Sequence, residues 1–149
     1  MSRTLMPCLV VQGAARALDF YAAVFGATER MRFAGPDGSI IHAEIEIGGA
    51  VLIVEDADPR RGVQAPPAGG LPGTPVFQYL YVDDVDAVVA RAVELGATLH
   101  RAPEDQFYGD RDAFIVDPFG HAWTVGTHVE DVGPDELARR MAGLFGAGR

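Results

Sequence analysis

Hydrophobic positions along the chain change their period in one order, and then repeat that order. Residues 5–11 are mostly apolar and partly β-branched, as a buried strand requires. Apolar residues then fall at helical spacing, at Ala15, Leu18, Phe20, Tyr21, Val24 and Phe25, up to Gly26-Ala27-Thr28, where the glycine suits a left-handed helix stop. Gly35-Pro36-Asp37-Gly38 is turn chemistry between two strands of a meander. Residues 40–47 alternate, with Ile41, Ala43, Ile45 and Ile47 on one face and His42, Glu44 and Glu46 on the other, and Gly48-Gly49 leads into a strand over 50–55. The succession then returns as a strand over 76–82, a helix over 85–95 with Asp84 as its N-cap, and a stop at Gly96-Ala97-Thr98. A short strand, an irregular stretch PEDQFYGDR, and a hairpin of 113–117 with 122–127 turned by Pro118-Phe119-Gly120 complete it.

This repetition predicts an α+β fold of two βαβββ modules, residues 1–55 and 76–128. Between them, residues 56–75 hold Pro66-Pro67, Gly69-Gly70 and Pro72-Gly73 with no apolar period, and read as an exposed linker. Residues 129–149 form a C-terminal tail in which Gly133-Pro134-Asp135-Glu136 opens a helix. Its apolar stripe, Leu137, Met141, Leu144 and Phe145, must pack on its own domain or on a second subunit.

Composition narrows the partners. With 149 residues, 48% of them hydrophobic, the chain can bury a core as one compact domain. A formal charge of −9 and the lack of a basic stripe argue against nucleic acid or an anionic membrane surface. No stretch approaches the length of a membrane span, so a cytoplasmic protein is expected. The single cysteine, Cys8, excludes an intrachain disulfide and a cysteine-based zinc site, and in its strand reads as a small buried apolar side chain.

LVVQGAARALDFYAAVFGAT, YVDDVDAVVARAVELGAT and the DPFGHAW turn together resemble the vicinal oxygen chelate superfamily, which includes glyoxalases, bleomycin-resistance proteins and extradiol dioxygenases. HAEI, QFYGDR, DPFGHAW and GTHVED resemble its PhnB-like branch. The resemblance implies the glyoxalase/bleomycin-resistance fold, with curved mixed sheets around a cavity, and in metal-using members a divalent ion held by His or Glu on the first and last strands of each module. Those places fall near Met6, Ile53, Phe77 and Thr124, none an ordinary ligand for such an ion, so no metal and no cofactor are expected.

Strand parity then selects the cavity lining: Ile53 with Val51 and Glu55, Phe77 with Tyr79 and Tyr81, and Thr124 with Ala122, Gly126 and His128. His42 beside Glu44 resembles a base with an orienting carboxylate, or else two polar residues on the wet face of a strand. Arg111 is the candidate for an anionic or carbonyl group, with a structural ion pair to the surrounding acids as the alternative. Tyr108 offers a hydroxyl or a packing ring. A second metal arrangement would gather His42, Glu44 and His128, with Glu55. His121 reads as turn chemistry and Trp123 as core. Three functions follow: a metal-free protein whose aromatic cavity binds a small organic molecule, a glyoxalase-like isomerase, lyase or dioxygenase-type enzyme using His42 and Glu44, and an assembly domain working through its C-terminal helix. A homodimer is expected from the resemblance and the apolar stripe, with the modules paired within one chain or exchanged between two.

Overall fold

The computed structural model describes residues 4–146, so the outermost ends of the expected first module and tail lie outside the described residues. The first module runs β1 (Cys8–Val11), α1 (Ala14–Phe25), β2 (Thr28–Ala34), β3 (Ile40–Ile47) and β4 (Ala50–Asp56). The second runs β5 (Gln78–Tyr81), α2 (Val85–Glu94), β6 (Thr98–Asp105), β7 (Asp110–Val116) and β8 (Ala122–His128), and α3 (Pro134–Met141) follows. Each module is a four-stranded mixed sheet of one topology, β1-β4-β3-β2 and β5-β8-β7-β6, in which only the β1–β4 and β5–β8 pairs are parallel. The fold is the α+β pair of βαβββ units that the repeated pattern predicts.

Local chemistry explains the helix ends. Gly26 ends α1 at φ 68°, and the Asp84 side chain accepts from Ala87 N at the start of α2. The N-terminus of α1 has no cap in its own turn. Asp56, at the end of β4, supplies one from a distance, accepting from Gly13 N at 2.9 Å, Ala14 N at 2.8 Å and, through its other oxygen, Ile40 N at 2.8 Å. A carboxylate there also meets the positive end of the helix dipole. Thr127, in the matching place on β8, accepts from Val85 N at 2.9 Å.

Both modules share one core. Leu9, Val11, Ala43, Ile45, Leu52 and Val54 turn inward from the first sheet, Ala113, Ile115, Trp123 and Val125 from the second, with Leu18, Tyr21, Val85 and Val89 of the helices between. Tyr21 of α1 donates to the Asp117 carboxylate at 2.6 Å, and Trp123 Nε1 donates to the same oxygen at 2.9 Å. The other oxygen of Asp117 accepts from Phe119 N and His121 N, which fixes the Pro118-Phe119-Gly120 turn. Around it Phe20, Tyr21 and Phe25 meet Phe119 and Trp123 edge-on or tilted. His121 also reaches the first module, with Nε2 2.7 Å from Val10 O.

Four details differ from the sequence pattern. The stretch from 103 to 111 is mostly strand, with the turn confined to 106–109, because β6 is an edge strand and tolerates Pro103. In β3 a bulge lies between the Phe33–His42 and Ala34–Ile40 pairs, so Ile40 is buried and Ile41 is turned out. Cys8 is exposed, because Leu9 and Val11 take the core side of β1. The linker has structure of its own: Pro59–Arg61 form a 3-10 turn, and Pro67 and Gly70 lie against the β7–β8 turn so closely that a Cβ on Gly120 would stand 2.2 Å from Pro67 O.

Removing the shared acceptor should loosen the two modules together. Tyr21→Phe is expected to cost about 1–3 kcal/mol in urea unfolding, since one buried donor to a charged group is lost. Asp117→Ala should cost more, roughly 3–5 kcal/mol, because four donors lose their partner.

Candidate functional site

Because the helices cover one side of each sheet, the other side is open, and the polar residues concentrate there. On the first sheet the strand register sets Glu44 opposite Ile53 and Glu46 opposite Val51. His42 Nε2 lies 3.0 Å from Glu44 Oε2, and both Glu44 and Glu55 are buried. Arg61 approaches Glu55 at 3.4 Å. The Cys8 thiol is pushed up from its ordinary pKa by partial burial and then by the Glu55 charge.

The open face of the second sheet is built from aromatic rings and two buried carboxylates. Register places Tyr79 beside Thr124, Tyr81 beside Gly126, and Asp112 across from Gly126. Tyr79 Oη lies 2.7 Å from Asp110 Oδ2 and 2.9 Å from Asp112 Oδ2, and Tyr81 Oη donates to Asp110 Oδ2 at 2.7 Å. Tyr108, from the β6–β7 turn, donates to Asp112 as well. Glycine at 126 makes this possible: an added Cβ would stand 3.2 Å from Tyr79 Oη and 3.3 Å from Asp112 Cβ. Arg101 and His128 complete the group. Arg101 donates to Asp112 Oδ1 at 2.8 Å and to Asp112 O at 2.9 Å, and His128 sets Nδ1 2.9 Å from Asp110 and Nε2 2.7 Å from Asp131.

Charge balance follows from these contacts. Burial by itself would raise the Asp110 carboxyl, but hydrogen bonds from His128, Tyr81 and Tyr79 outweigh it and hold it below the usual carboxylate range. With a carboxylate on each ring nitrogen, His128 is raised above an ordinary imidazole. Burial and then the aspartates raise Tyr79, for Tyr81 the hydrogen bond to Asp110 is the leading cause, and Tyr108 is pushed up to about 12, by burial first and then by Asp112.

Among the residues singled out from sequence, Phe77, Tyr79, Tyr81, Tyr108, Thr124 and His128 come together around the second open face, whereas His42, Glu44, Ile53 and Glu55 lie on the first. The arrangement that would join His42, Glu44 and His128 does not form, and among the described residues no group of three or more His, Cys, Asp or Glu side chains could hold a metal ion. Arg111 is not brought to the tyrosines. Its register partner is Asp105, and it pairs on the helix side with Asp86 at 2.8 and 3.0 Å and with Asp105 at 3.3 Å. Arg101, Asp110 and Asp112 went unrecognised; extending β7 back to residue 110 would have put both aspartates on the parity of Phe114.

The family model described as Glyoxalase/Bleomycin resistance protein/Dioxygenase superfamily matches residues 4–125 of the chain. Uncharacterized proteins of Mycobacterium tuberculosis and Mycobacterium bovis are 45% identical over 139 residues, which covers 93% of this chain and 82% and 91% of theirs. Among solved structures, TioX from Micromonospora sp. ML1 is 25% identical with a TM-score of 0.62, covering 86% of this chain and 100% of that one. A glyoxalase/bleomycin resistance protein/dioxygenase family enzyme from Burkholderia phytofirmans PsJN shares the fold at 22% identity and TM-score 0.65, covering 82% and 95%. So does the PhnB protein from Bacillus cereus, at 14% identity and TM-score 0.65, covering 84% and 99%.

Two titrations test the network. All 4 tyrosines are raised, so absorbance titration of the folded protein should show the phenols ionising above the ordinary value of about 10, and unfolding should restore it. Gly126→Ala should bring Tyr79 back toward that value. For His128, a raised folded pKa means that its stabilising contribution is complete below the unfolded value of about 6.5 and fades as pH rises through the folded one. The stability difference between wild type and His128→Gln, measured by urea unfolding, should therefore be largest in mild acid and shrink toward alkaline pH.

Proposed function

Because the chain belongs to the Glyoxalase/Bleomycin resistance protein/Dioxygenase superfamily, we propose that it uses that scaffold to bind a small organic molecule on the open face of its second sheet, without the metal of metal-using members. The chemistry at the four places, Met6 and Phe77 just ahead of β1 and β5, Ile53 in β4 and Thr124 in β8, carries this reading. Zn²⁺, Ni²⁺, Fe²⁺ and Mn²⁺ take imidazole and carboxylate, and a thioether, an alkyl group, a phenyl ring and one neutral hydroxyl do not fit that set. What stands there suits an organic ligand: Phe77, Tyr79, Tyr81 and Phe114 supply aromatic surface, with a few fixed polar groups beside it.

The exposed aromatic rows also support pairing of two copies, so that a second open face closes over the first. Phe77, Tyr79 and Tyr81 are 49%, 41% and 59% exposed, which is much apolar surface for one sheet to leave in water. The C-terminal helix is the weaker candidate for that contact. Arg140 donates to Phe107 O and to Glu130, and Phe145 lies edge-on to Phe107, so part of its stripe is used within the chain.

A glyoxalase-like enzyme is the second reading, and the His42–Glu44 contact favours it, since a buried carboxylate beside an imidazole fixes a base for proton transfer. It requires a substrate on the first sheet. One set of measurements separates the two. Purified protein should carry far less than one equivalent of Zn, Ni, Fe or Mn by elemental analysis and should scatter light as a dimer. Ligands found by thermal shift should be lost with Tyr81→Ala and kept with His42→Ala. One equivalent of metal per chain overturns the metal-free reading, and a turnover that His42→Ala abolishes makes the protein an enzyme.

A further inference from the structure

Three tyrosines stand with their hydroxyls converged and their rings outward. Tyr79 and Tyr81 alternate along β5, so both fall on the open face, with ring centroids 5.0 Å apart and planes inclined at 39°. Tyr108 comes from the opposite edge, and its hydroxyl ends on Asp112, as that of Tyr79 does. Each phenol is oriented by an acceptor behind it, and Tyr79, Tyr81 and Tyr108 remain 41%, 59% and 37% exposed, so ring surface of each is within reach of a small molecule. Beside Tyr81 the surface sinks into a hollow of ≈ 380 Å³ lined by Tyr81, Val82, Asp83, Thr127 and His128.

The electrostatics of this place are one-sided. Asp110 and Asp112 lie beneath the hydroxyls, 5% and 0% exposed, and are answered by His128 and Arg101, so the acid that faces an incoming ligand is Asp83. Arg101 has both terminal nitrogens on Asp112 and Glu104, and His128 has a carboxylate on each ring nitrogen, so neither is left to receive an anion. Asp83 opens into the hollow, Asp131 stands at its rim beside His128, and the whole chain carries −9. A ring face is the negative end of the aromatic quadrupole, and a phenol hydrogen-bonded to a carboxylate is more electron-rich still.

We infer that the ligand of this face is an organic cation, a small molecule whose quaternary or protonated amine seats on the rings of Tyr79, Tyr81 and Tyr108 with its apolar body along the open sheet. The inference rests on the reading that this face is the binding face, and it adds the ligand class. Rings packed against a positive nitrogen gain cation–π attraction beyond simple burial, and more where water is displaced. A carboxylate or sulfonate ligand would meet Asp83, with Arg101 and His128 already paired and no free cation among the described residues of this face to answer it. The phenols stay neutral throughout the physiological range, so they can donate and stack but do not themselves supply charge.

Three probes of one size separate charge from shape: phenyltrimethylammonium, N,N-dimethylaniline and benzenesulfonate, titrated into the intact chain at low ionic strength and followed by NMR shifts of the tyrosine rings. The cation should bind about tenfold or more tightly than dimethylaniline, weaken as salt is added, and outbind benzenesulfonate by more. Tyr81→Leu should reduce cation binding about tenfold, and Tyr81→Phe, which keeps the ring, should retain most of it. Far-ultraviolet circular dichroism of both variants establishes that they fold. Equal binding of cation and dimethylaniline, or a preference for the sulfonate, overturns the cation and leaves the face as an aromatic binding site. Binding of none of the three, or binding that Tyr81→Leu does not disturb, removes the site itself and the cation with it.

Discussion

Asp117 accepts four hydrogen bonds in a place water does not reach, and only two of them come from its own turn. A carboxylate buried at 1% exposure is costly unless each lone pair is answered, so turn, indole and phenol have to be in position at once. Tyr21 belongs to α1 of the other module, which makes the docking of the two halves part of the same condition. The turn it shapes also carries Gly120 up to Pro67, and so fixes where the linker can lie. Strands β7 and β8 leave that turn in fixed register and deliver Asp110, Asp112 and His128 to the far end of the sheet.

The open face of the second sheet is built on the opposite principle. Its core-side neighbours are apolar and closely packed, while Asp110 and Asp112 are satisfied by His128 on the neighbouring inner strand and by groups that reach over the sheet from its edges. Tyr79 and Tyr81 come from one edge strand, Arg101 from the other, and Tyr108 from a turn. Only the bare backbone at Gly126 leaves room for a ring to cross between them. Aromatic surface therefore stands outward because its polar ends are held inward.

Much of this was legible in the sequence where a period or a cap carried it. The helix over Ala14–Phe25 ended at Gly26 as its stop signal required, and Asp84 capped the second helix because nothing else competes for that position. His42 and Glu44 met because two residues on the same face of a strand must be neighbours. What escaped was anything set by pairing between strands. Ile41 turned outward through a bulge that depends on β2, a fact absent from the alternation of β3 itself. Arg111 took the ion-pair alternative, with Asp86 and Asp105, and Arg101 reached Asp112 instead, because β7 begins at Asp110 and alternation puts residues 110 and 112 on the open face and residue 111 on the other. The linker's hold on the β7–β8 turn depends on contacts between distant residues, and a run of glycine and proline gives no sign of them.

The shared core has a consequence for how such a scaffold can change over time. Since both helices and both inner sheet faces are committed to holding the modules together, the outward rows are largely excused from that duty. Exchange of Phe77 or Ile41, which are half exposed, changes the surface at small thermodynamic risk, whereas drift at Tyr21 or Trp123 endangers the whole chain. Recognition and cohesion are thus inherited on opposite sides of the same strands, and descendants of one such ancestor can acquire unlike clienteles while their architecture stays nearly still.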